Sequence, residues 1–175
     1  MFFKIRSVYF TAAISAVLTV AAVASAKYKA SGPEINFHAK GPGGLAINGK
    51  STKLVIDEDD KTVTFKSYLN TMDTGIGKRN DHMQERFNAA KYPEITLTVP
   101  KDKVSTKGSG TVQGTLNFHG QPKPVTVTYS VKDGKVEASF NINVKDYGID
   151  PETDLCRFKV CARPEVSIDV HFDLS

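Results

Sequence analysis

A chain of 175 residues and 19.1 kDa, 40% hydrophobic and 24% charged, has the balance of a soluble globular domain, which excludes disorder and collagen-like repeats. The formal charge of +4 includes Lys4 and Arg6, which lie in a leader; without them, 21 basic residues against 19 acidic ones leave +2, evenly spread. That is too little charge for a phosphate-binding surface, so nucleic acid is not an expected partner.

The leader occupies residues 1–26. Its basic start is followed by an uncharged run from Ser7 to Ala26, ending in the small-x-small pattern Ala24-Ser25-Ala26, with polarity resuming at Lys27-Tyr28-Lys29. This pattern reads as a signal peptide, with cleavage expected after Ala26. An uncleaved anchor is the alternative, but Thr11, Ser15, Thr19 and Ser25 shorten the best apolar stretch. The expectation is one exported domain, residues 27–175, periplasmic or secreted, with no stable membrane span after cleavage.

Period-two alternation then repeats along almost the whole mature chain, the pattern of strands with one apolar and one polar face. Ile35/Phe37 and Leu54/Ile56 are weak examples on either side of Gly41-Pro42-Gly43-Gly44, which reads as a wide turn. Val63/Phe65 follows. Residues 72–88 break the alternation: two turn glycines, then Asn80 or Asp81 as an N-cap, then a short helix with Met83 and Phe87 on one face. This helix would cover one end of a barrel. Tyr92-Pro93 leads back to strands: Ile95/Leu97/Val99, then Val112/Leu116/Phe118, then Val125/Val127/Tyr129/Val131. Asp133-Gly134 is a favoured hairpin turn into Val136/Ala138/Phe140/Ile142/Val144, and Val166/Ile168/Val170/Phe172/Leu174 closes the chain. The expected fold is all-β, an eight-stranded antiparallel barrel, because near-consecutive hairpins give up-and-down order and closure removes exposed edges. A two-layer sandwich is the alternative. A barrel of this size is either filled by side chains or holds one small ligand.

Catalytic signals are weak. His38, His119 and His171 share phase with polar residues or lie at strand ends, so no metal-ligand cluster is expected; only His82 is placed to reach an opening. There is no G-x-S-x-G, H-E-x-x-H or phosphate loop in the sequence. Cys156 and Cys161 are the sole cysteines, in an exported chain, and a short structural disulfide is the expectation. Their spacing fits neither a C-x-x-C redox pair nor a zinc site. No metal or cofactor is expected.

Asp73-Thr74-Gly75, Arg79-Asn80-x-His82-Met83 and Lys91-Tyr92-Pro93-Glu94-Ile95 resemble the YceI-like family, exported bacterial proteins with a lipocalin-like barrel that bind polyisoprenoids or other long-chain amphiphiles. Gly114-Thr115-Leu116-Asn117-Phe118-His119-Gly120 with Pro122-Lys123-Pro124-Val125, Asp146-Tyr147-Gly148-Ile149 and the strand Glu165–Leu174 fit the same order. The likeness covers most of residues 60–174. Residues 27–53 keep only a loose similarity, and the cysteine loop is a local specialisation. The resemblance implies a ligand tunnel. By phase, Phe65, Leu97, Leu116, Phe118, Tyr129, Phe140 and Ile142 would line it, with Met83 and Phe87 covering the tail. Asp73, Arg79, Asn80, His82 and Tyr147 would form the rim that meets a polar head. The expected function is therefore a binding or carrier protein, not an enzyme, for a polyisoprenoid or fatty-acid derivative, with homodimerisation left open. An exported enzyme or redox partner acting on such a lipid, and a filled barrel with no ligand, are the alternatives.

Overall fold

The structure, a computed structural model, describes residues 30–151 and 161–174. Among the described residues nine strands form one antiparallel sheet: β1 (Ala30–Lys40), β2 (Ala46–Ser51), β3 (Val55–Glu58), β4 (Thr62–Tyr68), β5 (Glu94–Pro100), β6 (Gly108–Phe118), β7 (Gln121–Lys132), β8 (Lys135–Asn143) and β9 (Glu165–Leu174). One helix, α1 (Gly77–Arg86), joins β4 to β5. The strand order is β2-β1-β9-β8-β7-β6-β5-β4-β3, so neighbours are consecutive except where β9 lies against β1.

The strand count corrects the expected eight, and the reason is local. β2 pairs with β1, while β3 pairs with β4 on the opposite edge of the sheet. Residues 52–54 are all that separate β2 from β3. Three residues span only about 10 Å, so the two sheet edges must meet. The run 46–58 thus does the work of one bent strand, and the sheet curls into a barrel rather than a sandwich, close to the lipocalin-like form that the resemblance implied. Backbone hydrogen bonds stitch the seam: Lys50 N–H donates to the Asp73 carbonyl and Asp73 N–H to that of Lys50, both at 2.8 Å. The Ser67 hydroxyl donates to the Lys53 carbonyl at 2.8 Å, and the Ser51 and Thr71 hydroxyls share a bond of 2.7 Å. Gly49 is required at this point. A Cβ there would collide with the Phe37 ring and reach 3.0 Å from the Asp73 carbonyl.

Alternation is cleanest in the middle of the chain. In β6, Val112, Gly114, Leu116 and Phe118 are buried while Thr111, Gln113, Thr115 and Asn117 are exposed. The β7–β8 turn places Asp133 and Gly134 at φ of 52° and 79°, the left-handed pair that matches strand twist. Curling is visible in side chains too: Phe65 on β4 and Phe172 on β9, five places apart in the sheet, bring their ring centroids within 6.1 Å across the interior.

α1 starts at Gly77, earlier than the N-cap expected at Asn80 or Asp81, and its N-cap residue Ile76 makes no side-chain capping bond. The polar residues do a different job. Asn80 reaches backward, accepting from the Thr74 N–H (2.8 Å) and hydroxyl (2.6 Å) and donating to the Asp73 carboxylate (2.8 Å). It therefore fixes the turn before the helix from inside the helix.

Candidate functional site

The barrel encloses an apolar cavity of about 380 Å³, within the range of ligand pockets. It is long rather than round. On β9 alone Val166, Ile168, Val170, Phe172 and Leu174 line it, which is roughly 26 Å of wall at about 3.3 Å per residue. Inward residues of β6 and β7 such as Val112, Leu116, Val125 and Val127 are buried, whereas Phe65 on β4, Ile95 and Leu97 on β5, Ala138, Phe140 and Ile142 on β8 and Val166, Ile168 and Val170 on β9 are only half-buried. Those half-exposed apolar side chains face the cavity, not solvent outside the barrel.

The far end is closed by Val131, Val136 and Phe172, a cluster in which cross-strand register places Val136 opposite both others. There the Tyr129 phenol, which also lines the cavity, accepts a hydrogen bond from the Ser105 N–H at 3.2 Å. The α1 end is half plugged. Phe87, just past the helix, stands edge-on to Phe118 with centroids 5.3 Å apart, and Phe118 packs on Tyr147 at 5.5 Å. Beside this plug the cavity is also bordered by α1, by Lys40, Gly41 and Pro42, and by Pro151, Ala162 and Arg163.

Among the residues expected to line a tunnel, Phe65, Leu97, Leu116, Phe118, Tyr129, Phe140 and Ile142 all border the cavity, as do Met83 and Phe87. Arg79 and His82 border it from α1. Asp73, Asn80 and Tyr147 do not. Asp73 and Asn80 belong to the turn network instead: Asp73 Oδ1 accepts from Asn80 and from the Gly75 N–H, both at 2.8 Å. The Asn80 bond first, then the Gly75 N–H, hold this carboxyl below the usual range, with the charge of Lys50 adding to them. Tyr147 is 2% exposed, inside the core beneath Phe118. Burial pushes its phenol up to about 12, with the charge of Asp146 assisting. The Asp-Tyr-Gly turn is therefore a packing element, closed by the Gly148 N–H on the Lys145 carbonyl at 3.0 Å, rather than a rim.

Sequence reasoning missed three cations that also border the cavity, Lys40, Arg86 and Arg163. Antiparallel pairing of β1 with β9 brings the first and last of these together, and the Arg163 N–H donates to the Lys40 carbonyl at 2.7 Å. Arg86 donates to the Asp150 carbonyl at 2.8 Å. The Arg79 guanidinium donates through Nη2 to the Thr74 carbonyl at 2.6 Å, while its buried Nε has no partner among the described residues. An unsatisfied buried donor costs about 1–3 kcal/mol.

The histidines are structural or surface groups apart from His82. His38 is exposed and bonds Asn48 (2.9 Å) and Asp169 (3.3 Å) on the outer wall. His119 meets the Tyr147 carbonyl at 2.9 Å and stacks edge-on to Tyr92. Among the described residues no group of three or more His, Cys, Asp or Glu could hold a metal ion. Cys156 lies outside the described residues, so the expected bridge to Cys161 is carried forward only as a proposal.

Residues 27–174 match the family model described as the YceI-like domain. The chain belongs to the YceI-like family. Two solved structures share its fold. A polyisoprenoid binding domain from Saccharophagus degradans, implicated in plant cell wall breakdown, is 20% identical with a TM-score of 0.67, over 85% of this chain and 97% of that one. BcnA of Burkholderia cenocepacia is 16% identical with a TM-score of 0.63, over 84% of this chain and 100% of that one. No curated protein matches by sequence.

Proposed function

We propose that this YceI-like chain is an exported binding or carrier protein for a long-chain amphiphile, an isoprenoid or a fatty-acid derivative, with the tail held in the barrel and no reaction of its own. One observation carries the reading: the elongated apolar cavity of about 380 Å³ that runs along the inner faces of the strands, β9 among them from Val166 to Leu174, with α1 at one end. A tail moved from water into such a channel gains about 25 cal/mol per Å² of apolar surface buried. The polyisoprenoid named for the S. degradans domain is the first ligand class to try. The reading includes a leader cleaved after Ala26, a periplasmic or secreted location, and a Cys156–Cys161 disulfide.

Native mass spectrometry of protein purified from the exported fraction, before and after organic extraction, tests the carrier role. A bound lipid mass that disappears on extraction is expected. No bound lipid, together with exclusion of a fluorescent fatty-acid probe by the extracted protein, would leave a filled barrel as the better account. Thiol titration of the same material should find no free thiols; two would remove the disulfide.

A further inference from the structure

Far from α1, two rings meet across the cavity. Phe65 on β4 and Phe172 on β9 reach in from walls that are not neighbours in the sheet, and their centroids stand 6.1 Å apart with the planes tilted by 48°. That is direct aromatic contact. A methylene chain needs about 4 Å of carbon-to-carbon clearance on each side, so none passes between them. The rings do not stand alone. Ala30, Ile56, Tyr129 and Val136 pack into the same cluster, which therefore draws on β1, β3, β4, β7, β8 and β9. The Tyr129 phenol accepts from the Ser105 N–H at 3.2 Å, which ties the cluster to the β5–β6 connection. Phe172 is buried, whereas Phe65 is half-buried, and both border the cavity. The other end is covered differently: α1, which joins β4 to β5 there, has no buried residue.

The distance from the α1 end to the rings is short. From Val166, near the start of β9, to Phe172 the strand covers about 20 Å at about 3.3 Å per residue. Along the axis of a barrel whose strands tilt by about 40°, that is about 15 Å. An extended carbon chain with bonds of about 1.5 Å advances about 1.25 Å per atom, so about 12 to 16 carbons fill this depth. We infer that Phe65 and Phe172 form a stop that sets the length of tail this barrel takes. The assignment rests on the carrier reading and narrows its ligand: a fatty chain of palmitoyl size or shorter, or an isoprenoid of about three or four units at four backbone carbons each, rather than a long polyprenyl chain. Each methylene that still finds wall tightens binding about fourfold. One that meets the rings adds nothing.

The test titrates extracted mature protein with the even-numbered straight-chain fatty acids from decanoate to docosanoate, below their micellar concentrations, each competing with a fluorescent fatty-acid probe. Affinity should climb about fourfold per methylene and level off near palmitate. Phe65→Ala removes half of the stop and should move the break to chains longer by at least about two carbons. Phe65→Leu combined with Phe172→Leu opens the same contact while keeping more of the cluster, and reads the same shift if the alanine variant does not fold. Phe140→Ala, in mid-wall on β8, should weaken the chains that reach it and leave the break where it was. Affinity that rises unbroken to docosanoate in the parent, a break that stays at palmitate in the folded Phe65 variants, or one that Phe140→Ala moves as far, overturns the inference alone. Uptake of no chain of any length overturns the carrier reading and the inference with it.

Discussion

An open channel and a filled barrel respond in opposite directions to a larger side chain at Ala138. This residue sits mid-strand on β8, opposite Tyr129 on β7 and Val170 on β9, and all three border the cavity. In Ala138→Phe the ring points into the void. If that void is available, burying the ring stabilises the extracted protein by about 1–2 kcal/mol, somewhat below the full value for a buried Phe. If the space were packed, the same ring would cost about 1–3 kcal/mol in overpacking. Binding moves the other way. Excluding a tail from roughly 100 Å² of apolar wall costs about 2.5 kcal/mol at 25 cal/mol per Å², close to two orders of magnitude in Kd. Denaturant unfolding of the extracted variant reads the first quantity and probe titration the second. A variant that is destabilised yet binds normally would refute the channel.

Gly49→Ala should destabilise by about 1–3 kcal/mol, because the new Cβ displaces Phe37 and presses on the Asp73 carbonyl at the seam; chemical denaturation measures it. Asn80→Leu leaves the buried Thr74 donors unsatisfied, at about 1–3 kcal/mol, and hydrogen exchange should show faster opening at the start of α1. In that variant the Asp73 carboxyl should titrate nearer its ordinary value, since its main stabilising bond is gone. In the parent, the depressed Asp73 pKa contributes stability that is present above about pH 4 and lost as pH falls through the folded-state value, which carboxyl NMR titration locates. Tyr147, raised to about 12, should ionise in a final phase above the ordinary tyrosine range; its contribution is full below about pH 10 and fades as pH climbs to about 12. Absorbance titration of Tyr147→Phe should lack that final phase.

The fold was most legible where each inward residue is large and each outward one polar. β6 through β8 come nearest to that condition, with Gly114 and Ala138 as the small inward exceptions. β2 does not: Ala46-Ile47-Asn48-Gly49-Lys50-Ser51 offers one large apolar residue, because Phe37 from β1 fills the space that a side chain at Gly49 would take. The short β3 carries Val55 outward at 43% exposure and Ile56 inward, so its phase could be read while its pairing with the opposite sheet edge could not. The helix start was misplaced because Asn80 and Asp81 have capping chemistry, yet Asn80 spends its side chain on Asp73 and Thr74 from within the first turns. Wall residues followed from phase. The cations bordering the cavity did not, because Lys40 and Arg163 are separated by more than 120 residues and meet only through the pairing of β1 with β9.

That wall is divided by task, and two matched truncations separate the tasks. Leu116 on β6 is 2% exposed and packed in the main core, so Leu116→Ala should cost about 2–5 kcal/mol with or without ligand. Ile168 on β9 is half-buried against the void, so its removal from the empty barrel forfeits only part of a side chain's burial, about 1–2 kcal/mol. With the channel occupied, Ile168 gains the contacts it lacked. Ile168→Ala should therefore reduce the extra stability that ligand confers, beyond its effect on the empty protein. Thermal unfolding with and without palmitate gives both numbers for each variant. Identical losses for Ile168→Ala in the two states would mean that the tail does not lie along β9, and the side of the barrel facing β6 and β7 would have to be considered instead.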